Sequence, residues 1–364
     1  MTGAIVNEWI EPVGGAERVL DALAVEFPDA PILCPWNDAP DHYGSPRVIE
    51  SWMARTPLRH HKALAMPFML SNWRHRAPLD VEWLLCSSHV FAHQVRLRGE
   101  ARDVPKFVFA HSPARYLWEP ELDGRGNGHL SRAIARPMRV IDRRRAQEAV
   151  KIAANSKFIA ERIERCWGRE STVIYPPVDV RAFLADDDEL DPGEARQLES
   201  LPEGFILGAS RFVPYKQVEV AIAAGAAADL PVVLAGDGPD RERLLAIADD
   251  HPGLVTFVRR PSHAMLRALY RRSLVFVFAS VEDFGIMPVE AMATGTPVVA
   301  NAIGGASETV VDYVTGSHIH STDPDELRRA IDIASSVDPA ACRERALQFD
   351  GSTFGARIRD WMGL

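Results

Sequence analysis

The chain has 364 residues, 47% of them hydrophobic and 25% charged, with a formal net charge of −9. That is the make-up of a globular protein with room for two domains, and the acidic balance argues against a nucleic-acid binder. No stretch approaches about 18 uninterrupted apolar residues, so no spanning helix is predicted. The N-terminus lacks the basic and then apolar run of a signal peptide. Cys34, Cys86, Cys166 and Cys342 lie far apart without metal spacing. They are expected to be reduced thiols in a cytoplasmic protein.

Strand-like apolar runs and helix-like periodicities alternate along the chain. In the first half the predicted strands are 3–10, 31–33, 83–87, 106–110, 151–154 and 172–175, with helices at 16–27, 130–149 and 157–167. The second half repeats the scheme, with strands at 205–209, 232–235, 255–258, 275–279 and 298–300. Its helices are predicted near 216–228, 241–249, 263–271, 288–294 and 325–335. Such alternation calls for parallel sheets with helical crossovers, an α/β class. Proline and acids rise between the halves, including the run Asp186 to Asp188, which reads as a linker. The expected division is a first domain over 1–178, a linker over 179–203 and a second domain over 204–350. A final amphipathic helix, about 351–364, is expected to pack back onto the first domain.

Charge is unevenly spread: residues 1–178 hold 24 Lys and Arg against 21 Asp and Glu, residues 179–364 hold 17 against 29. From 51 to 79 there is no acid. Arg55, Arg59, Lys62, Arg74 and Arg76 interleave there with Trp52, Met53, Leu58, Leu64, Met66, Phe68, Met69, Leu70 and Trp73. Two readings stay open: a peripheral contact with anionic membrane, or a core-packing helix with a solvated basic face. A second basic run, 132–145, reads as an exposed helix face.

The chemistry-bearing residues fall at predicted strand ends, where open α/β sheets bind ligands. Gly14 and Gly15 turn the first strand into a helix and let a backbone come close to an anion. His111 ends the fourth strand, placed to bind or to move a proton, or to serve only as a structural side chain. Asn155-Ser156 reads as a plain helix cap. Arg211 and Lys216 follow the first strand of the second half and suit a diphosphate clamp, with a fork from one and a point charge from the other. The turn Gly236-Asp237-Gly238 reads as structural. Glu282-Asp283-Phe284-Gly285-Ile286-Met287-Pro288-Val289-Glu290 places two carboxylates around a strand-to-helix turn, with Glu290 expected in the first helical turn. Gly304-Gly305 sits at the next strand end. Asp323-Pro324-Asp325 reads as a helix cap, and no residue set has the spacing of a metal site.

Together these segments resemble the retaining two-domain glycosyltransferases of family 4, also called glycosyl transferase group 1. The likeness is densest over 11–17, 109–118, 154–158, 173–183, 210–216, 235–239, 282–297 and 304–311. Glu282-Asp-Phe-Gly-Ile, Val213-Pro-Tyr-Lys216 and His111-Ser-Pro-Ala-Arg115-Tyr are similar to the mannosyltransferase branch that builds bacterial surface polysaccharides. The resemblance implies a GT-B architecture, two facing Rossmann-like doubly wound domains with the active site in the cleft between them. It implies transfer of α-mannose from GDP-mannose to a glycan or polyprenyl-linked glycan, without metal or other cofactor. Arg211 and Lys216 would hold the diphosphate, and Glu290 the ribose. Glu282 would hold the transferred sugar, helped by backbone around Phe284, Gly285 and Ile286. Gly14 and Gly15 would lie over the phosphates, and His111 near the reacting sugar. The implied setting is cytoplasmic, with a peripheral place at the inner face of the cell membrane. Arg259-Arg260-Pro261-Ser262 stands where relatives often have Gly-Arg-Val-Ser followed by acids, which bears on the base. Alternatives are a UDP- or dTDP-hexose donor, a sugar-nucleotide epimerase, or a catalytically silent subunit of an assembly complex.

Overall fold

A computed structural model of the chain describes residues 2–12, 14–44, 46–74, 76, 78–120, 129–185 and 189–364. It divides into two compact units, residues 1–177 with 351–364, and residues 178–350.

The first unit is built on a parallel sheet of β1 (Gly3–Asn7), β2 (Ile32–Cys34), β3 (Val48–Glu50), β4 (Trp83–Ser88), β5 (Lys106–Ala110), β6 (Lys151–Ala154) and β7 (Thr172–Val173). The spatial order is β3-β2-β1-β4-β5-β6-β7. Side chains alternate between its faces: Val6, Leu84, Cys86 and Val108 enter one core cluster. Ile5, Leu85, Phe107 and Phe109 enter another. A sheet covered on both faces explains why these strands are apolar runs rather than alternating patterns.

The second unit holds β8 (Ile206–Ala209), β9 (Val232–Gly236), β10 (Val255–Arg259), β11 (Val275–Phe278), β12 (Val298–Asn301) and β13 (Gly316–Ile319). All pair in parallel, in the order β10-β9-β8-β11-β12-β13. Both orders reverse direction once, at β1/β4 and at β8/β11. In each sheet the loops leaving the two strands at that reversal part to opposite sides and open a crevice.

Two strands were not predicted, β3 and β13. Both are edge strands, and β13 reads Gly-Ser-His-Ile, so neither carries the long apolar run of a buried central strand. The predicted linker is corrected more substantially. Residues 179–203 contain helices Val180–Leu184 and Pro192–Glu199, and both belong to the second unit. The Asp191 carboxylate caps the second helix by accepting from the N–H groups of Gly193 and Glu194, with Pro192 at the first helical position. That is a sound start signal, hidden by the acidic composition around it. The run Asp186 to Asp188 lies outside the described residues.

The final helix, Phe354–Met362, belongs to the first unit. Phe354, Ile358 and Met362 are buried with Leu20, Leu23 and Phe109. Arg359 pairs with Glu26 at the end of helix Gly15–Glu26, and Lys151 Nζ donates to the Trp361 carbonyl at 2.6 Å. The four cysteines are free and buried, and burial pushes the Cys86 and Cys342 thiols up to about 12.

Candidate active site

In the second unit, the chain leaving β8 runs through Arg211 to the short turn Pro214–Lys216. The chain leaving β11 runs through Glu282. Because β8 and β11 are neighbours at the reversal, these two loops meet. Lys216 Nζ pairs with Glu282 Oε1, with side chains only 13% and 20% exposed, and Ser280 Oγ donates to the same oxygen at 3.2 Å. Arg211 remains exposed and donates to the Tyr215 hydroxyl at 3.1 Å. The predicted clamp therefore has its lysine held by a carboxylate and its arginine turned to solvent. The helix predicted from 216 begins only at Glu219, because Gln217 takes a left-handed turn, φ 50, that breaks the path from Lys216.

The helix after β11 starts at Ile286, two residues before the predicted Pro288. Gly285 stands at φ 87, a shape that suits glycine, and it turns the chain early enough for Ile286 to begin the helix. Pro288 then falls third. Glu290 opens the second turn rather than lying in the first, and is buried at 3% exposure. The Phe284 ring is core, packed against Phe349 at 5.6 Å between centroids, so this residue can offer a ligand only its backbone. Behind the loop lies Gly305, whose N–H donates to the Glu282 carbonyl at 2.7 Å. A Cβ on Gly305 would stand 2.3 Å from the Asp283 carbonyl oxygen, so this glycine permits the close approach of the two loops.

Beside Arg211 is a pocket of about 620 Å³, lined among others by Ser210, Gly236, Asp237, Arg260 and Met287. The turn after β9, expected to be structural, is thus part of the site. Asp237 accepts from Arg259 at 3.0 Å and from Arg260 at 2.7 Å. Its slight desolvation works upward, but the two arginines and the Gly238 N–H outweigh it and hold the carboxyl below its usual range. Ser262 donates to Glu194 from both N–H and hydroxyl, at 2.8 and 2.7 Å. Glu194 sits in the segment expected to be a linker. No sequence signal tied it to Ser262.

In the first unit, Gly14 caps helix Gly15–Glu26 with extended backbone, φ 177. Any residue adopts that shape, so the backbone itself does not demand a glycine there. Gly15 is the exposed first residue of the helix. His111 follows β5, is 9% exposed, and its Nε2 lies 2.9 Å from Ser87 Oγ at the end of β4.

Sequence reasoning missed a polar network beneath these strand ends. Glu8, just past β1, is fully buried, and its Oε1 accepts from the Val90 and Ala92 N–H groups, both at 2.7 Å. Burial raises its pKa to about 7 against the opposing pull of those N–H groups and Ser88. Ser88 Oγ also lies 3.2 Å from His93 Nδ1, and His93 Nε2 is 3.0 Å from Asp142. Asp142, with no exposure, also accepts from Gln94 at 2.6 Å and from the indoles of Trp118 and Trp167, both at 2.8 Å. Burial alone would raise its carboxyl, but His93 and the two indoles hold it low. Asp142 stood inside the run 132–145, which was read as an exposed face. The sequence shows there only one acid within a basic run, and nothing in it marks that acid as buried.

In the stretch 51–79 three of the five cations are paired with carboxylates. Arg59 pairs with Asp38, Lys62 with Glu11 and Arg74 with Glu148, while Arg76 is buried. Arg55 stays exposed, and so do Trp52 at 52%, Leu64 at 64% and Phe68 at 48%. Trp52 and Phe68 lie edge to face, 6.4 Å apart. The surface there is more apolar and less cationic than the composition suggested. Among the described residues no helix is long and apolar enough to cross a membrane. Among them, too, no group of three His, Cys, Asp or Glu could hold a metal ion.

Comparison with known proteins supplies the remaining observations. A family model described as Glycosyltransferase Family 4 matches residues 13–182, and one described as Glycosyl transferases group 1 matches 194–346. The chain is 31% identical over 234 residues to a D-inositol 3-phosphate glycosyltransferase of Mycobacterium sp. (strain JLS), covering 58% of this chain and 51% of the relative. The match thus spans about half the relative's length. Among solved structures, Anabaena Alr3699/HepE in complex with UDP aligns with a TM-score of 0.72 at 20% identity, covering 100% of both chains. Sucrose-phosphate synthase from Thermosynechococcus elongatus aligns with a TM-score of 0.71 at 19% identity, covering 100% of this chain and 98% of that one. These likenesses establish the fold, two Rossmann-like units of the GT-B class.

Proposed function

This chain belongs to the glycosyltransferases of group 1 and family 4, and from that premise we propose that it transfers a hexose, with retention, from a nucleoside diphosphate sugar to a glycan or lipid-linked glycan. The observation that carries this is the meeting of Lys216 with Glu282 where the second sheet reverses, next to Arg211 and its pocket. Arg211 and Lys216 hold the diphosphate and stabilise the charge it gains on leaving. Lys216 exchanges Glu282 for phosphate oxygen, and Glu282 is released to accept from sugar hydroxyls. Backbone N–H groups of Phe284, Gly285 and Ile286 assist. Glu290 accepts from the ribose. On the first unit, Gly14 and Gly15 are the candidates for phosphate contact, and His111 is the candidate to bind a sugar hydroxyl or assist at the anomeric carbon. The acceptor oxygen bonds to the anomeric carbon on the face from which the diphosphate departs. The enzyme works at the inner face of the membrane, touching it through Trp52, Leu64 and Phe68.

The motif from Glu282 to Glu290 favours GDP-mannose as donor. A UDP-hexose is the second reading, favoured by the UDP bound to the Anabaena protein. Thermal unfolding with GDP, UDP and dTDP separates them, since a nucleotide at a hundredfold excess over its Kd adds about 2.7 kcal/mol of stability. GDP should protect most. A UDP effect as large overturns the mannose assignment, and no protection by any nucleotide overturns the donor site. Nucleotide should be released from the sugar donor when an acceptor is present, whereas an epimerase would return a sugar nucleotide with its nucleotide still attached.

A further inference from the structure

Arg76 is a buried guanidinium in an unusual setting. It is 5% exposed, its Nη2 donates to the carbonyl of Ile49, on the edge strand β3, at 2.8 Å, and its Cζ lies 5.8 Å from the centroid of the Trp73 ring. Its backbone is fixed by a bridge to Leu97. Among the described residues no carboxylate lies within ion-pairing distance of it, although Arg59, Lys62 and Arg74 on the same stretch each have one. A buried cation without a counter-charge is costly, and burial lowers its pKa.

Arg76 lines a pocket of about 190 Å³ together with Ser51, Trp52, Asn72 and Glu50. That is room for about six waters at ~30 Å³ each, enough for a phosphate or a carboxylate group. Asn72 is 3% exposed, and among the described residues its side-chain nitrogen has no hydrogen-bond partner. Glu50 is committed elsewhere, its Oε1 accepting from the Asn37 N–H at 2.6 Å. We infer that this pocket at the β3 edge is a binding site for a compact oxyanion, a phosphate or carboxylate group. Arg76 supplies charge and a fork of donors, Asn72 an amide, and Trp52 an apolar wall. The site lies wholly within the first unit and does not depend on the donor reading.

The test uses the full chain with Arg211→Ala and Lys216→Ala, which removes phosphate binding at the proposed diphosphate clamp. Its melting temperature is followed against sodium phosphate, and separately sodium acetate, at ionic strength matched with sodium chloride. A saturable rise of about 2 °C or more is expected with at least one of the two anions, and which one responds assigns the ligand class. Arg76→Gln, which keeps a donor for Ile49, should abolish the rise. Asn72→Asp, which sets a carboxylate in the pocket, should abolish it too, and carries the test should Arg76→Gln fail to fold. No rise with either anion, or a rise that survives both substitutions, overturns the proposal.

Discussion

Replacing Glu8 by glutamine should make the first unit more stable at alkaline pH and leave it nearly unchanged in mild acid. The buried carboxyl has its pKa raised from 4.5 to about 7, desolvation outweighing the N–H donors. The folded chain therefore holds this proton more tightly than the unfolded chain. The stability Glu8 contributes is full below about 4.5 and is lost as pH rises through about 7. At ~1.36 kcal/mol per pH unit the loss is about 3 kcal/mol by pH 8. Glutamine keeps an oxygen for the Val90 and Ala92 N–H groups and never ionises. Its nitrogen takes the place of Oε2, which has no hydrogen-bond partner among the described residues either. In a unit of this size, about 3 kcal/mol corresponds to a difference of roughly 6–12 °C in melting temperature. The assay is thermal unfolding of wild type and Glu8→Gln from pH 5 to pH 8. Taking the difference cancels every other titrating group. Curves that run parallel across that range would refute the argument.

Asp142→Ala should cost about 3–5 kcal/mol in chemical denaturation, because two indoles and the Gln94 amide lose a buried acceptor. Since Asp142 is held below its ordinary range, its contribution is present above the unfolded pKa, and the gap to wild type should narrow as pH falls; an effect below about 1 kcal/mol would count against the network. Gly305→Ala should reduce nucleotide protection, because its Cβ would meet the Asp283 oxygen at 2.3 Å and push the Glu282 loop aside; undiminished protection would show that the loop can absorb the methyl. Glu282→Gln frees the Lys216 charge and should leave binding of the bare nucleoside diphosphate equal or up to about tenfold tighter, while weakening the nucleotide sugar; calorimetry with both ligands reads this, and equal weakening of the two would contradict the exchange. Serine at Trp52, Leu64 and Phe68 should lower sedimentation with anionic vesicles more than neutralising Arg59 and Lys62, whose charges are already paired; the reverse order would restore the electrostatic reading.

What could be read in the sequence was mostly local. Central strands such as β4 and β11 are apolar runs bounded by turn residues, and they declare themselves because both faces are covered. The edges β3 and β13 do not, since an edge strand needs little apolar surface. Asp191 and Pro192 spell a helix start, yet the surrounding acids suggested a linker. Glu8 and Asp142 look like any other acids in one dimension. Only burial by distant residues gives them their character, 82 positions away between Glu8 and Val90 and 48 between Asp142 and Gln94.

The candidate site residues show the same divide between type and partner. Arg211, Lys216, Glu282 and Glu290 could each be singled out by position at a strand end. Their arrangement could not, because it depends on which strands are neighbours. Lys216 and Glu282 are 66 positions apart. They touch because the order β10-β9-β8-β11 puts the first and fourth strands of the unit side by side. The same reversal separates the loop after β9, so Asp237 with its two arginines lines the pocket on one side of Arg211, and the Lys216–Glu282 pair lies at the junction itself. Under the proposed function, a diphosphate drawn to Arg211 would compete with Glu282 for Lys216. Donor binding would then begin by breaking a half-buried ion pair, and the carboxylate released would be the one proposed for the transferred sugar.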